Sequence, residues 1–388
     1  ELTRTLTAVG LEVESVTDLG QTLRPFTVAE IMKATQHPDA DKLRVCKVNT
    51  GKETLQIVCG APNARAGIKV ALAAVGTVIP TNDLKIKQSK IRGVESNGML
   101  CSARELGLGE DHAGIIELPA DAQLGDSIVN PLKLDDPVIE IAITPNRADC
   151  LGVYGVARDL AAAGLGTLKP LPAIEWQGQG DSKIIVTLSD SGCHQFVGCH
   201  IRGVKNGPSP QWLQQRLKAV GLRPISTLVD ITNYVSVDLG RPLHVYDVKK
   251  LRGNIVVRTS KDGESFRALN DKDYTLTAGH VAITDDSGLI GLGGIIGGES
   301  TGCDETTSET FLEVAYFEPS RIAVTGQELQ VQSDARYRFE RGVDPAFLEQ
   351  GAKQAVQMIL NLCGGTPSQL SINGSAKPWQ RSIPYHVD

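Results

Sequence analysis

A proline-rich connector, KPLP at residues 169–172, divides this chain into two stretches of different pattern. Before the connector, short β-type runs alternate with glycine, proline and asparagine; after it, strands mix with helical patterns. Prolines stop regular structure and stiffen a linker, so a domain boundary is expected here. A chain of 388 residues is also too long for one ordinary core. The sequence therefore predicts a multidomain α+β protein.

The amino-acid composition argues against several classes of protein. No window approaches 18 consecutive apolar residues, so no membrane span is predicted. The eight cysteines include no CxxC pair, which leaves a zinc ribbon or a thioredoxin-like site without support. They are typical of buried thiols in a reducing compartment, by default the cytoplasm. The formal net charge of −6 argues against a general polyanion binder, although a local basic surface is compatible with it.

The first half has the pattern of a small β-barrel next to helical segments. The run LRVCKV at residues 43–48 alternates, NTGK turns the chain, and residues 55–59 return, which predicts a hairpin. Shorter β-type runs follow at residues 70–75, 84–86 and 115–118. Within the first 15 residues, Leu2, Leu6 and Val9 have helical spacing that stops at Gly10, and helical spacing occurs again between Arg147 and Gly164. Several short strands at this spacing predict a barrel.

The second half contains two well-marked helical patterns. The first is predicted to start at an N-cap, Ser209, and to end at Gly221. The second runs from Asp344 to Gly364. The sequence between these two helices is predicted to be mostly β.

Three patterns in the second half resemble sites without meeting the requirements. The glycine run that begins at Gly288 lacks GxGxxG spacing and no helical pattern follows it, which favours a packed strand or bulge. The pattern GESTG at residues 298–302 has GxSxG spacing, but the segment after it is polar and the only later histidine is His386. His194 and His200, with their neighbouring cysteines, lack a familiar zinc spacing. No metal site is predicted.

Two segments of the first half resemble the tRNA-binding OB-fold module of several translation proteins. They are HPDADKL at residues 37–43 and KIRGVESNGMLCS at residues 90–102. Four cations lie within eight residues without an acid among them: Lys85, Lys87, Lys90 and Arg92. The alternation predicts a strand here, with Leu84 and Ile86 opposite the lysines. Charge alone equally fits a protected strand edge, so the motif carries the prediction that these cations bind tRNA.

Further motifs follow in an order that resembles the beta subunit of bacterial phenylalanine–tRNA ligase. They are ITPNRADC (143–150), TNY (232–234), GRPLHVYD (240–247), FLEVA (311–315), SDA (333–335) and RFERGVDP (338–345). The likeness covers nearly the whole chain. The family's beta subunit is longer at both ends, so the resemblance implies an N-terminal portion that ends before the family's magnesium ligands.

The resemblance implies a β-barrel OB-fold module inserted in a small helical module and followed by a larger α+β editing module. The implied segments are the start of the helical module at 1–20, the OB-fold tRNA-binding domain at 21–130, the remainder of the helical module with the linker at 131–172, the editing domain at 173–378, and the start of a further domain at 379–388.

The function implied by the resemblance is a share in the ATP-dependent attachment of phenylalanine to tRNA(Phe). Synthesis would occur in the alpha subunit of an (αβ)2 assembly, and this chain would bind tRNA and hydrolyse mischarged Tyr-tRNA(Phe). An apolar synthetic pocket rejects an added hydroxyl only modestly, so a second site is needed. No cofactor, membrane or DNA partner is expected for this chain, although the parent enzyme uses ATP and magnesium. The alternatives are a non-catalytic tRNA-binding or assembly subunit and, less favoured, a free-standing hydrolase.

The resemblance also implies roles for pocket residues. Glu313 would read the tyrosine hydroxyl, the alternative being a surface residue of an alternating strand. His244 would position substrate or water, with a general-base role left open. The other implied pocket residues are Thr232 and Asn233 for polar contacts, Gly297 and Ala335 for space around the ring, Pro242 for the rigid turn, and Ser333, which often is threonine in the family.

Overall fold

The structure is a computed structural model that describes residues 1–109, 111–189, 192–376 and 382–386. Its helices, in chain order, are α1 Leu2–Ala8, α2 Leu19–Leu23, α3 Val129–Leu132, α4 Val153–Ala162, α5 Gln211–Ala219, α6 Thr227–Leu239, α7 Pro319–Glu328, α8 Asp334–Phe339 and α9 Leu348–Cys363. Short 3-10 helices span Ala148–Cys150, Glu299–Thr301 and Pro345–Phe347.

The strands complete a mixed α+β architecture with several sheets, as predicted. They are β1 Glu12–Thr17, β2 Thr27–His37, β3 Ala40–Asn49, β4 Thr54–Cys59, β5 Lys69–Ala73, β6 Ser89–Ile91, β7 Val94–Ser96, β8 Met99–Leu100, β9 Glu117–Leu118, β10 Val138–Ala142, β11 Val186–Leu188, β12 Cys193–Arg202, β13 His244–Asp247, β14 Ile255–Thr259, β15 Ser265–Arg267, β16 Asp273–Thr275, β17 Val281–Asp285, β18 Gly288–Leu292, β19 Ile296–Gly297, β20 Glu309–Phe317, β21 Thr366–Pro367 and β22 Ser371–Gly374.

The chain forms two compact units, one of Glu14–Glu140 and one of Glu1–Val13 with Ile141–Asp388. The five predicted domain segments stay a prediction, as does the insertion of an OB fold into a helical module. Of the segment predicted at 379–388, residues 379–381 and 387–388 lie outside the described residues. No helix in the described part of the chain is both long and apolar enough to cross a membrane.

The Glu14–Glu140 unit is built on one antiparallel sheet in the order β4-β3-β2-β5-β8, with β9 also paired to β5. Alternate residues of β2 point to opposite faces. Accordingly, Val28 belongs to one apolar cluster and Ile31 to another. The predicted hairpin is confirmed as β3–β4, and its turn contains Gly51 in the left-handed region at φ 84°.

The strand predicted at residues 84–86 is wrong. The segment forms only an isolated bridge between Val78 and Lys85, and Leu84 is 51% exposed whereas Ile86 is buried. Asn82 Oδ1 accepts the Leu84 N–H at 3.1 Å, and Asp83 adopts φ 55°. This local turn breaks the alternation, because a side chain that bonds its own backbone competes with strand pairing.

The larger unit contains a central sheet in the order β13-β20-β12-β21, with β22 also paired to β12. Helices α5, α6 and α9 cover one face, where they bury apolar residues of β12 and β20. A second sheet, in the order β11-β14-β17-β18-β19, covers the other face. Because β20 is buried on both faces, its sequence is a nearly continuous apolar run rather than an apolar–polar alternation.

The prediction that residues between the two marked helices are mostly β missed α6, α7 and α8. Helix α6 shows why. Its sequence TLVDITNYVSVDL is rich in β-branched residues, which have a weak helix propensity. The helix is stabilised instead by burial of Leu228, Ile231 and Val235, which recur at helical spacing on one face.

The boundaries of the predicted helices also need correction. The N-cap of α5 is Pro210 rather than Ser209, whose hydroxyl donates to Asp230 Oδ2 at 2.5 Å. The helical segment predicted to stop at Gly10 is confirmed as α1, which ends at Ala8 with Val9 as its C-cap, and β1 follows. Between Arg147 and Gly164 the α-helix is α4 alone, preceded by a 3-10 turn.

Candidate functional site

A cavity of about 110 Å³ lies between the two sheets of the larger unit and is closed on one side by α8. Its lining includes five residues predicted for the pocket: Pro242, His244, Gly297, Glu313 and Ala335. Tyr246, Phe339 and apolar residues of β17–β19 complete the wall. The fold thus brings these five predicted residues, which are between two and almost a hundred positions apart in the sequence, to one cavity.

The strand register explains why these side chains meet. In the antiparallel pair β13–β20, His244 lies directly opposite Glu313. Directly opposed residues share one face of a sheet, and so do residues two apart on a strand. Tyr246 therefore joins His244 on the side that faces the second sheet, where Phe311 and Ala315 also lie.

Glu313 is a carboxylate inside an apolar core. It is 5% exposed, so the alternative of a surface residue on an alternating strand is wrong. The Tyr246 hydroxyl donates to Glu313 Oε2. Burial raises the pKa of Glu313 to about 7, while the Tyr246 hydrogen bond and the positive charge of Arg241 act in the opposite direction. The group therefore titrates near neutral pH, which is uncommon for a carboxyl.

Arg241 places a second charge in this core. The residue is 1% exposed, and its Nη2 donates to the carbonyl of Ala315 on β20. The guanidinium carbon lies 5.8 Å from the centre of the Phe339 ring. Its Nε and Nη1 have no hydrogen-bond partner among the residues that the structure describes. Burial lowers the pKa of Arg241 to about 10, so it remains a cation at neutral pH.

His244 is held as a neutral ring. The residue as a whole is partly exposed, but burial of the ring lowers its pKa to about 4, and its Nε2 is closed off from solvent without a hydrogen-bond partner within the described residues. The ring meets Tyr246 edge-on at a centroid distance of 4.5 Å. At Gly297 a Cβ would lie 2.5 Å from His244 Cε1, so only glycine leaves room for the ring there.

Three predicted pocket residues lie outside the cavity lining. Thr232 is on α6, where its hydroxyl donates to the Val229 carbonyl at 2.7 Å, and Asn233 follows it on the same helix. Ser333 is the N-cap of α8: it accepts the Arg336 N–H at 3.0 Å and donates to the carbonyl of Ile295, a lining residue, at 2.7 Å. Ser333 therefore stabilises the position of a lining residue, Ile295, but does not line the cavity itself.

Sequence reasoning missed roles for Tyr246 and Arg241, although both belong to the quoted motif GRPLHVYD. A signal was available for Tyr246, since it is two residues after His244 and must share its strand face. Nothing in the sequence marked Arg241, because its burial depends on packing against α8 and α9.

The four predicted tRNA-binding cations belong to the other unit. Lys85, Lys87, Lys90 and Arg92 are all exposed. Lys90 lies opposite Glu95 in the β6–β7 pair, and Arg92 adopts φ 46° in the turn of that pair while its Nη1 donates to the Asp39 carbonyl at 3.3 Å.

One group has the spacing of metal ligands. Atoms of Asp149, Cys150 and Asp159 lie within 4.8 Å of one another. Arg147 and Arg158 form ion pairs with both carboxylates, however. The two guanidinium groups already balance the two negative charges, so this arrangement is an ion-pair network rather than a cation site.

Two parts of the chain match known protein families. Residues 192–364, which include the whole cavity lining, match the family described as B3/4 domain, and residues 26–127 match the putative tRNA binding domain. The phenylalanine–tRNA ligase beta subunit of Paramagnetospirillum magneticum is 55% identical over 383 residues, which cover 97% of this chain and 48% of that protein. The corresponding subunit of Rhodospirillum rubrum is 55% identical over 394 residues, which cover 99% and 48%.

The chain belongs to the family of phenylalanine–tRNA ligase beta subunits, and the predicted resemblance is confirmed. It spans about half the length of the curated relatives it matches. Among solved structures, an N-terminal fragment of the phenylalanyl-tRNA synthetase beta-subunit from Pyrococcus horikoshii aligns with 59% of this chain and 62% of that chain, at a TM-score of 0.31 and 15% identity.

Proposed function

We propose that this chain binds tRNA(Phe) and hydrolyses tyrosine that has been attached to it by mistake. The parent protein would be a subunit of a cytoplasmic ligase that attaches phenylalanine to tRNA(Phe) with ATP and magnesium. Synthesis would take place in an alpha subunit, within an (αβ)2 assembly. The Glu14–Glu140 unit, with Lys85, Lys87, Lys90 and Arg92, would contact the tRNA, and the cavity would receive the aminoacyl end.

The observation that carries this proposal is the buried Glu313 at the cavity wall. Its Oε2 accepts the Tyr246 hydroxyl, and the residue lines the cavity. Its second carboxyl oxygen would be the acceptor for a substrate hydroxyl. A phenylalanine side chain would leave that acceptor unpaired, and an unpaired buried polar group costs about 1–3 kcal/mol or more when charged. The site would therefore favour tyrosine over phenylalanine.

His244 suits the hydrolytic step as a positioning group. Hydrolysis of an aminoacyl ester needs a water molecule aimed at the carbonyl carbon, with no covalent enzyme intermediate. With a pKa of about 4, the ring is neutral at pH 7 and can accept a hydrogen bond from that water. A full proton transfer to it is unfavourable at this pH, so we favour orientation of water over general-base catalysis.

The test is deacylation of Tyr-tRNA(Phe) by this chain and by its Glu313→Ala and His244→Ala variants. Release of tyrosine that falls in both variants supports editing in this cavity. A rate that neither substitution changes supports the alternative, a non-catalytic tRNA-binding or assembly subunit. The same assay with the full-length beta subunit and the alpha subunit separates an inactive pocket from a pocket that requires the assembly to receive the tRNA end.

A further inference from the structure

The tip of the β15–β16 hairpin packs against strand β19 at the edge of the cavity. The Leu269 N–H donates to the Gly297 carbonyl at 3.0 Å, and Ala268, which is fully buried, forms a bridge with Gly298. The Ala268 N–H bonds the Lys272 carbonyl at 2.9 Å, which closes the tip. The position of Leu269 is thus fixed by backbone hydrogen bonds of Leu269 itself and of the preceding residue, Ala268.

The Leu269 side chain lies over the glycines of this edge. Its Cδ1 is 3.1 Å from the place where a Gly297 Cβ would be, and its Cδ2 is 3.3 Å from the corresponding place at Gly302. The same Gly297 position lies 2.5 Å from His244 Cε1 and 2.9 Å from its Nε2. Leu269 and His244 are therefore neighbours across a residue without a side chain.

Leu269 packs against these two glycines on one side, while the other side of its side chain is in solvent, so that the residue is 51% exposed. A half-exposed leucine at a hairpin tip buries less apolar surface than a core leucine and contributes less to stability. One part of the Leu269 side chain is in solvent and another is beside Gly297, next to the His244 ring, so the side chain covers this edge of the ring's surroundings.

We propose that Leu269 is a positioning residue that lies beside the cavity, next to Gly297, and shields His244 from bulk water. By excluding solvent on that side, Leu269 keeps the ring uncharged and leaves its Nε2 to water held inside the cavity. The shielding of His244 is independent of the substrate; its consequence for hydrolysis rests on the proposed editing function.

The charged groups around His244 are compatible with a shielding role. Glu313 and Tyr246 face the ring from β20 and β13. Arg267 of the hairpin pairs with carboxylates at the surface: it lies 3.2 Å from Asp273 and 3.9 Å from Asp271, both of the hairpin, and 3.6 Å from Glu299 of the neighbouring 3-10 helix. What the hairpin places next to the ring is the apolar Leu269 side chain.

The direct test is a titration of His244 by NMR in histidine-labelled chain. His244→Gln identifies the signal among the seven histidines by removing it. We expect Leu269→Ala to raise the pKa of His244 from about 4 towards the ordinary value of 6.5, by about one unit or more. Leu269→Met, which refills the space, should titrate like the parent.

Leu84→Ala is the matched control, because Leu84 is also a leucine with 51% exposure but belongs to the other unit. It should leave the titration of His244 unchanged. Leu269→Gln, which keeps the length of the side chain and makes it polar, is a second variant in case the alanine chain is poorly folded, and it should also raise the pKa. A parent-like titration in either folded variant would overturn the proposal.

A second readout links the shielding to hydrolysis. In Leu269→Ala the acid limb of the pH profile for Tyr-tRNA(Phe) deacylation should move upward by the same amount as the His244 titration. If the titration moves while the parent chain releases no tyrosine, the shielding holds and the editing function fails. If tyrosine is released and the titration does not move, the editing function holds and the role of Leu269 fails.

Discussion

At the scale of single residues, the site is defined by charges and rings that are buried together. The Arg241 cation and Glu313, a carboxyl that ionises only near pH 7, lie in the same core, and the Tyr246 hydroxyl donates a hydrogen bond to Glu313. Burial of an ionised carboxyl is unfavourable, and neither the arginine nor the tyrosine fully offsets it, because the pKa of Glu313 remains raised. The chain therefore tolerates a destabilising group at the place where a hydroxyl would be read.

The raised pKa of Glu313 predicts a specific dependence of stability on pH. The folded chain holds a proton on this carboxyl up to about pH 7, whereas the unfolded chain releases it near pH 4.5. Stability from this group is thus present below pH 4.5 and is lost as the pH rises to about 7, by on the order of 3 kcal/mol. Relative to Glu313→Gln, the parent should lose stability over that range in denaturant titrations. A constant difference between the two chains would contradict the assignment.

Gly297 should not accept a methyl group. In Gly297→Ala the new Cβ would lie 2.5 Å from His244 Cε1, so the ring or the strand must move. We expect Tyr-tRNA(Phe) deacylation to fall by about tenfold or more, with a loss of stability of about 1–3 kcal/mol. Gly207→Ala is the control, since its Cβ would meet nothing within 4 Å and its rate should equal that of the parent. Parent-like activity in Gly297→Ala would show that the ring is free to move.

At the scale of elements, strand β20 shows what could be predicted. The motif identified Glu313 and the apolar run identified a strand, yet its burial on both faces depends on the second sheet, which no local pattern reveals. The β3–β4 hairpin and the helix that ends at Cys363 followed from local signals. Helix α6 did not, because its burial rather than its propensity stabilises it. Residues 84–86 were misjudged because a turn interrupts the alternation.

Helix α8 offers a test of how the cavity wall is held. Ser333→Ala removes the cap of this helix and the hydrogen bond to Ile295. The free energy of unfolding should fall by about 1–2 kcal/mol, and Ser333→Thr should retain most of it because the hydroxyl remains. Denaturant unfolding measures this difference. Equal stability of the alanine and threonine variants would show that the two hydrogen bonds contribute little.

At the scale of the whole molecule, the chain combines a unit with exposed cations and a unit with the cavity, under a net charge of −6. An acidic protein binds RNA only where its cations are concentrated, and such binding weakens as salt is added. The sequence predicted the cations and the cavity residues separately, through two different motifs. That the cations and the cavity act on the same tRNA molecule is part of the proposed function.

The exposed cations of the Glu14–Glu140 unit can be tested by salt dependence. Lys85→Ala with Lys87→Ala should weaken tRNA(Phe) binding by about tenfold at low salt, and should reduce the slope of log affinity against log salt by up to about 0.7–0.9 per lost phosphate contact. Lys52→Ala with Lys169→Ala removes the same charge from other exposed positions and should change binding much less. Equal effects of the two pairs would indicate general attraction rather than a tRNA contact.

In the proposed function, Glu313 distinguishes tyrosine from phenylalanine by the tyrosine hydroxyl. The measurement that tests it is the ratio of deacylation rates for Tyr-tRNA(Phe) and Phe-tRNA(Phe), in the parent chain and in Glu313→Ala, under the assembly conditions in which the parent is active. We expect faster release of tyrosine by about a hundredfold or more in the parent, and a ratio near one in the variant. A parent ratio near one, or a large ratio that survives the loss of Glu313, would contradict it.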